Sequence, residues 1–187
     1  MAVRVALLAA GSTAVGRDPQ FDRGAPLGET ARASVRAAAS RVPRTPTTLT
    51  APSPRCRDTA AELGRTALVE GAIDDWDMGR WRGRALAEVA AGEPDAVAAW
   101  LGDPAAVPHG GESLLALCER VGGWLDRLAD PAPAGRVLAI VEPAVVRAAV
   151  VHALHLPPPA FWRLDVRPLA LTELSGRAGR WNLRLGA

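Results

Sequence analysis

The strongest constraint on the fold is a run of apolar residues near the N-terminus. Val3 to Leu8 is almost uninterruptedly apolar, and Ala9, Ala10 and Gly11 follow it. A short apolar run that ends at a glycine turn is typical of a β-strand buried on both faces. Strands of this kind occur in parallel sheets that have helices on both sides, so the segment predicts an α/β fold.

The rest of the chain alternates between strand-like and helix-like segments. We therefore predict one domain over residues 1–187, a three-layer α/β/α sandwich with a mostly parallel central sheet. Ligands of such sheets collect at the carboxyl ends of the strands. Further strands are predicted at 47–50, 67–69, 136–141, 169–174 and 180–185, and helices at 28–41, 54–63, 84–91, 94–101, 113–129 and 143–154.

Composition argues against several classes of protein. The chain has 187 residues and a net charge of +2, and all 22 of its basic residues are arginines. These arginines are spread along the chain beside acidic residues, which argues against nucleic-acid binding. We find no signal peptide and no apolar segment of about eighteen residues, so we expect a cytoplasmic protein that does not enter membranes. Cys56 and Cys118 are predicted to be buried free thiols.

Six segments carry polar or glycine-rich motifs at the predicted strand ends and loops. They are LLAAGST at 7–13, GAPLGET at 24–30, APSPRCRDTA at 51–60, DWDMGRWRG at 75–83, PHGGES at 108–113 and VLAIVEPAVV at 137–146. Their order and spacing resemble those of the histidine phosphatase superfamily, also called the phosphoglycerate mutase-like fold. The resemblance covers essentially the whole chain.

The resemblance implies a mechanism that this chain is poorly equipped to perform. In the family one histidine accepts the phosphoryl group, a second histidine and two arginines bind the phosphate, and an acidic residue protonates the leaving group. Ala10 falls at the position of the first histidine, Ala9 at that of the first arginine and Glu142 at that of the second histidine. Arg55 matches the second arginine.

The acidic residue of the family falls on Asp75. Asp74 and Asp77 flank it, so the assignment within this loop stays open. A carboxylate of Glu142 about 4 Å from a phosphate oxygen would repel it by roughly 4 kcal/mol per unit charge at an effective dielectric constant of ~20. Two interpretations of Glu142 follow: it forms an ion pair with Arg55, or it acts as a general acid or base in a half-buried pocket.

The remaining candidate residues surround the same predicted cleft. Ser12 and Thr13 either contact a ligand or cap the turn, and their hydroxyls are weak candidates for a nucleophile without a partner base. The two tryptophans either line the cleft or pack in the core. We expect no metal and no cofactor. The predicted ligand-binding residues are Gly11, Ser12, Thr13, His109, Trp76 and Trp81.

Two functional hypotheses from different classes follow. The first is a repurposed enzyme, a lyase, isomerase, cyclase or hydrolase that uses Asp75, Glu142 and Arg55 for acid–base chemistry on a small molecule. The second is a non-catalytic pseudophosphatase that binds a ligand or a protein partner through the old cleft. Ordinary phosphatase activity is not expected from either, and a homodimer stays open.

Overall fold

The computed structural model describes residues 2–12, 20–21, 24–130 and 135–185. Within these residues six strands form one sheet in the order β3-β2-β4-β1-β5-β6. The first four are parallel to one another, and β5 and β6 are antiparallel to their neighbours. The predicted α/β fold with a mostly parallel sheet is confirmed. The strands are β1 (Val3–Ala9), β2 (Thr47–Thr50), β3 (Leu68–Val69), β4 (Arg136–Val141), β5 (Leu171–Arg177) and β6 (Arg180–Arg184).

Four of the helices in the described residues begin at a serine cap or at a first-turn proline. Ser53 caps α2 and is followed by Pro54 in the first turn, and Pro143 begins α6 in the same way, because proline lacks the N–H that a first turn leaves unbonded. No helix in the described part of the chain is long and apolar enough to cross a membrane. The helices are α1 (Glu29–Ala38), α2 (Pro54–Glu62), α3 (Leu86–Gly92), α4 (Pro94–Gly102), α5 (Leu114–Ala129) and α6 (Pro143–Ala153).

The two central strands position the candidate site. Leu7 of β1 and Leu138 and Ile140 of β4 are completely buried. Ala9 is the register partner of Val141, and the amide of Ala10 donates to the carbonyl oxygen of Val141 at 2.9 Å. The two strands therefore end side by side, and the residues that follow them are neighbours.

The largest departure from the predicted boundaries is β5, which begins at Leu171 and continues to Arg177. Leu169 has a φ of 60°, a left-handed conformation that ordinary strand residues do not adopt. Its amide donates to the carbonyl oxygen of Ala9 at 3.1 Å. The strand starts later than predicted because residue 169 closes the turn beside β1.

Candidate functional site

The candidate site lies at the carboxyl ends of β1 and β4, where α2 approaches them. Glu142 follows β4 directly and occupies the position before the first residue of α6, without a capping hydrogen bond from its side chain. Ser53 caps α2, and its hydroxyl oxygen accepts from the amide of Cys56 at 3.2 Å. The first turns of two helices therefore converge on the residues that follow the central strands.

The carboxylate of Glu142 is buried and fully engaged at this point. Only 1% of Glu142 is exposed, and 14% of the Arg55 side chain. Arg55 Nε donates to Glu142 Oε1 at 3.2 Å, and Arg55 Nη2 donates to Oε2. The hydroxyl of Ser53 donates to Oε1 at 2.7 Å. Of the two interpretations that the sequence left open, the ion pair is the one present in the structure.

The ion pair also shapes the chemistry of the neighbouring thiol. Cys56 is completely buried, and its Sγ lies 3.5 Å from Glu142 Oε1. Burial, and then the negative charge of Glu142, raise the pKa of the Cys56 thiol well above its ordinary value. Cys118 is half-buried, and burial raises its pKa to about 11. Both cysteines are free, as predicted, and both are neutral thiols at physiological pH.

The turn after β1 is held by α2 and by apolar packing. The amide of Gly11 donates to Thr59 Oγ1 at 3.2 Å, and that hydroxyl in turn donates to the carbonyl oxygen of Arg55 at 2.8 Å. A Cβ at Gly11 would lie about 3 Å from the side chains of Leu27 and Val35. Gly11 is thus packed against aliphatic groups. Ser12 is exposed, and Thr13 lies outside the described residues.

The acidic loop, which contains Asp74, Asp75 and Asp77, is held by hydrogen bonds between its aspartate side chains and its own backbone. Asp75 is half-buried, and its Oδ1 accepts from the amide of Trp76 at 2.8 Å. Asp74 accepts from the amide of Asp75 at 2.8 Å, and Asp77 accepts from the amide of Gly79 at 2.9 Å. Asp77 is the most exposed of the three. The assignment of Asp75 as the reacting acid stays a prediction.

Arg120 of α5 joins this loop to the one that precedes α5. Its guanidinium donates to both carboxylate oxygens of Glu112 at 2.8 and 2.7 Å. It also donates to the carbonyl oxygens of Ala72, Asp74 and Asp75 at 3.1, 3.0 and 3.3 Å. A planar guanidinium with five donors suits such a set of acceptors. The sequence analysis missed Arg120, which lies in an ordinary amphipathic helix with no motif to single it out.

The two tryptophans predicted to line the cleft are in the core. Trp76 is 6% exposed and Trp81 is completely buried. Trp76 Nε1 donates to the carbonyl oxygen of Glu112 at 2.7 Å. Their rings belong to an aromatic cluster with centroid separations of 4.7 to 6.5 Å. The cluster consists of Phe21, Trp76, Trp81, Trp100, His109, Phe161 and Trp162. Their assignment as ligand contacts stays a prediction, and the described packing favours a structural role.

His109 is part of the same cluster. It is 1% exposed, and its ring centroid lies 5.2 Å from that of Trp81. Its Nδ1 accepts from the amide of Gly111 at 3.1 Å, which leaves the proton of the neutral ring on Nε2. Nε2 is buried and has no hydrogen-bond partner among the described residues. Burial lowers the pKa of His109, so the ring is neutral at pH 7.

The described residues contain no group of three His, Cys, Asp or Glu side chains placed to hold a metal ion.

A profile of the family described as "Histidine phosphatase superfamily (branch 1)" matches residues 8–186. The chain belongs to the histidine phosphatase superfamily. Solved structures agree with this assignment over nearly the whole chain.

Two solved structures with a similar fold are of phosphatases. A mycobacterial glucosyl-3-phosphoglycerate phosphatase is 25% identical, with a TM-score of 0.83 and coverage of 98% of this chain and 97% of its own. An α-ribazole phosphatase from Shigella flexneri has a TM-score of 0.83 at 18% identity, and covers 97% of this chain and 95% of its own. The second likeness is one of fold alone.

A curated relative is longer than this chain. The bifunctional protein Rv2228c of Mycobacterium tuberculosis is 29% identical over 131 residues, which are 67% of this chain and 36% of that protein. The match therefore spans about a third of the relative's length. The function of the rest of that protein therefore says nothing about the residues described above.

Proposed function

We propose that this chain is a non-catalytic member of the superfamily, a pseudophosphatase that binds a ligand or a protein partner. One observation carries the proposal. The buried carboxylate of Glu142 receives two donors from Arg55 and one from Ser53. The guanidinium that would bind phosphate in the superfamily is thereby engaged by an anion of the chain itself.

The charge of Glu142 supports this proposal. A carboxylate and a phosphate compete for the same forked donors of an arginine. A phosphate that approached within about 4 Å of the carboxylate would meet a repulsion of roughly 4 kcal/mol per unit charge at an effective dielectric constant of ~20. That energy corresponds to about a thousandfold loss of affinity for each charge. Arg55 is therefore a poor phosphate ligand as long as Glu142 is ionised.

The residues beside Glu142 support the proposal that the chain does not transfer phosphoryl groups. Ala10 and Ala9 are 3% and 0% exposed, and their methyl side chains can neither attack phosphorus nor bind an anion. By the resemblance, Ala10 takes the position of the histidine that accepts the phosphoryl group. The thiol of Cys56 does not replace it, because it is buried and protonated.

Restoring the family's residues tests the proposal directly. We expect the wild-type protein to release no phosphate from p-nitrophenyl phosphate above the rate of the buffer. The variant Ala9→Arg/Ala10→His/Glu142→His should gain measurable hydrolysis, and Arg55→Gln added to that variant should remove it. Phosphate release by the wild-type protein that Arg55→Gln abolishes would overturn the proposal.

A repurposed enzyme is the second candidate, and the acidic loop favours it. Asp75 stays half-buried, and Arg120 fixes its backbone and that of Asp74 with hydrogen bonds of 3.3 and 3.0 Å. A pre-organised acidic loop is a feature that acid–base catalysis requires. Small metabolites that raise the melting temperature would be assayed for turnover. Turnover that survives both Asp75→Asn and Glu142→Gln would remove the roles assigned to these residues.

A further inference from the structure

The amino-terminal edge of the sheet, remote from Glu142, has an unusual pair of charges. Arg4 of β1 is the register partner of Arg136 of β4, and both side chains are exposed. Neighbouring strands lie about 4.8 Å apart, and register partners project from the same face. Like charges that face each other across strands are destabilising. This pair therefore costs stability unless an anion neutralises it.

Two more arginines extend the pair along the connection between α1 and β2. Exposed Arg41 and Arg44 line an open groove of about 610 Å³. Arg65 holds this connection in place, because its Nη2 donates to the carbonyl oxygens of Val42 and Pro43 at 3.3 and 3.2 Å. The connection is thus pre-organised by the chain itself. We call Arg4, Arg41, Arg44 and Arg136 the arginine ledge.

A second, smaller concavity adjoins the groove. Its volume is about 70 Å³, and Pro43 lines both. Arg4 and Arg136 lie among its lining residues, beside aliphatic side chains of three strands. Those aliphatic residues are Val5, Ala6, Val137 and Leu174. These four residues are at most 8% exposed, so what the ledge presents to a partner is its positive charge.

The charge of the ledge is not balanced within the described part of the chain. No described acidic side chain forms an ion pair with any of its four arginines. Glu173, the acidic residue that lines the smaller concavity, lies 3.7 Å from Arg184 instead. Elsewhere arginines are closely paired, as Arg32 is with Asp58 at 2.7 Å. The ledge is a concentrated positive surface on a chain whose net charge is +2.

The lining chemistry distinguishes between possible anions. Single-stranded nucleic acids are held by aromatic side chains on which bases stack. The described residues that line both concavities include no aromatic ring. Arginine pairs well with carboxylates through two parallel hydrogen bonds. The four arginines are spread over two strands and the connection between α1 and β2, so a chain that carries several carboxylates can pair with more of them than one small anion can.

We propose that the arginine ledge docks an acidic segment of a partner protein. Carboxylates of the segment pair with the four arginines. Arg4 lies five residues before Ala9 in β1, so the ledge is about 17 Å from the site of Glu142. The proposal therefore stands or falls independently of the phosphate chemistry at the other edge.

A fluorescent peptide, Glu-Glu-Asp-Glu-Leu-Glu-Asp-Glu-Glu, tests the ledge by fluorescence anisotropy. We expect the wild-type protein to bind it at low salt, with affinity that falls as salt rises. Arg4→Gln/Arg44→Gln/Arg136→Gln should weaken binding at least about tenfold, a change that corresponds to the loss of one good ion pair. The control Arg57→Gln/Arg127→Gln/Arg167→Gln removes the same charge from exposed positions elsewhere and should leave binding unchanged.

Three further probes identify the occupant. The same peptide with glutamine in place of every acidic residue should not bind, and single-stranded DNA and tripolyphosphate should compete poorly with the labelled peptide. Equal binding by the two triple variants would overturn the proposal. So would failure of the wild-type protein to bind the peptide at low salt. Binding of DNA or tripolyphosphate to the ledge as tightly as the peptide would exclude an acidic protein segment as its specific occupant.

Discussion

We propose that Glu142 is a carboxylate located where a phosphate-binding site would require a positive charge. Its two oxygens use the donors of Arg55 and Ser53 that an incoming anion would need. A buried ion pair adds little net stability, but removal of one member leaves a costly buried charge. The pair is therefore best understood as a constraint on which ligands the site accepts.

A double-mutant cycle tests this description of the pair. Glu142→Leu alone and Arg55→Met alone should each lower the free energy of unfolding by about 3–5 kcal/mol, because each removes one member of a buried ion pair. The double variant should lose less than the sum of the two, with a coupling energy of about 2–3 kcal/mol. Urea unfolding gives the free energy of unfolding of the wild-type protein, the two single variants and the double variant.

The exposed pair of Arg36 and Glu29 is the matched control. Their nitrogen and oxygen atoms lie 3.1 Å apart, but the side chains are 49% and 83% exposed. The corresponding cycle, Arg36→Met with Glu29→Leu, should give a coupling energy below about 1 kcal/mol. Equal coupling energies in the two cycles would show that Glu142 is not a buried partner of Arg55.

His109 should make the protein less stable in mild acid. Burial lowers its pKa in the folded state, so in mild acid the unfolded chain binds a proton that the folded chain does not. Its contribution to stability is therefore complete above the unfolded pKa of about 6.5 and declines as the pH falls below that value. The slope from one such group is at most about 1.4 kcal/mol per pH unit.

The variant His109→Asn isolates this contribution. Asn keeps an acceptor for the amide of Gly111 and has no titrating ring. The change in unfolding free energy between pH 7.5 and pH 5.5 should be larger for the wild-type protein than for the variant. The same pH dependence in both proteins would mean that the ring of residue 109 is accessible to protons in the folded state.

At the scale of elements, α5 organises the loops that precede it. Arg120 bridges the acidic loop and Glu112 through five hydrogen bonds of 2.7 to 3.3 Å. The two loops also cross closely, since a Cβ at Gly111 would lie 2.0 Å from the carbonyl oxygen of Asp77. The geometry of the acidic loop thus depends on a helix that contributes no predicted catalytic residue.

Loss of the Arg120 guanidinium should loosen the acidic loop and the loop that precedes α5. Arg120→Met removes the donors and leaves Glu112 without its cation, so we expect the stability to fall by about 2–4 kcal/mol. Amide hydrogen exchange in residues 72–77 and 110–113 should become faster. Arg127→Met, an exposed substitution on the same helix, is the control. Unchanged exchange in the Arg120 variant would contradict the role assigned to this side chain.

Local pattern was sufficient to predict most of the elements, whereas the pairing of Glu142 with Arg55 was one of two interpretations that the sequence left open. Strand β2 is observed at 47–50, as predicted, because proline and β-branched residues define it locally. The tryptophans could not be placed in the same way. Trp76 and Trp100 pack together although 24 positions separate them, and no periodicity links them. Their burial depends on how five separate segments meet, which a single sequence does not specify.

At the scale of the whole molecule, charge is arranged differently at the two edges of the sheet. Arg55 at the carboxyl edge is neutralised internally by Glu142, whereas the ledge that contains Arg4 and Arg136 at the opposite edge has no described acidic partner. A superfamily member with this arrangement would have exchanged a phosphate-binding centre for a closed ion pair. Its exposed positive charge would remain available for contacts with other molecules.

Equilibrium binding of inorganic phosphate tests the central claim most directly. In isothermal titration calorimetry we expect the wild-type protein to show no binding up to about 10 mM phosphate. The variant Ala9→Arg/Ala10→His/Glu142→His should bind at least about a hundredfold more tightly, because it replaces the repelling carboxylate and restores positive charge. Micromolar binding of phosphate by the wild-type protein, abolished by Arg55→Gln, would show that Glu142 does not close the site.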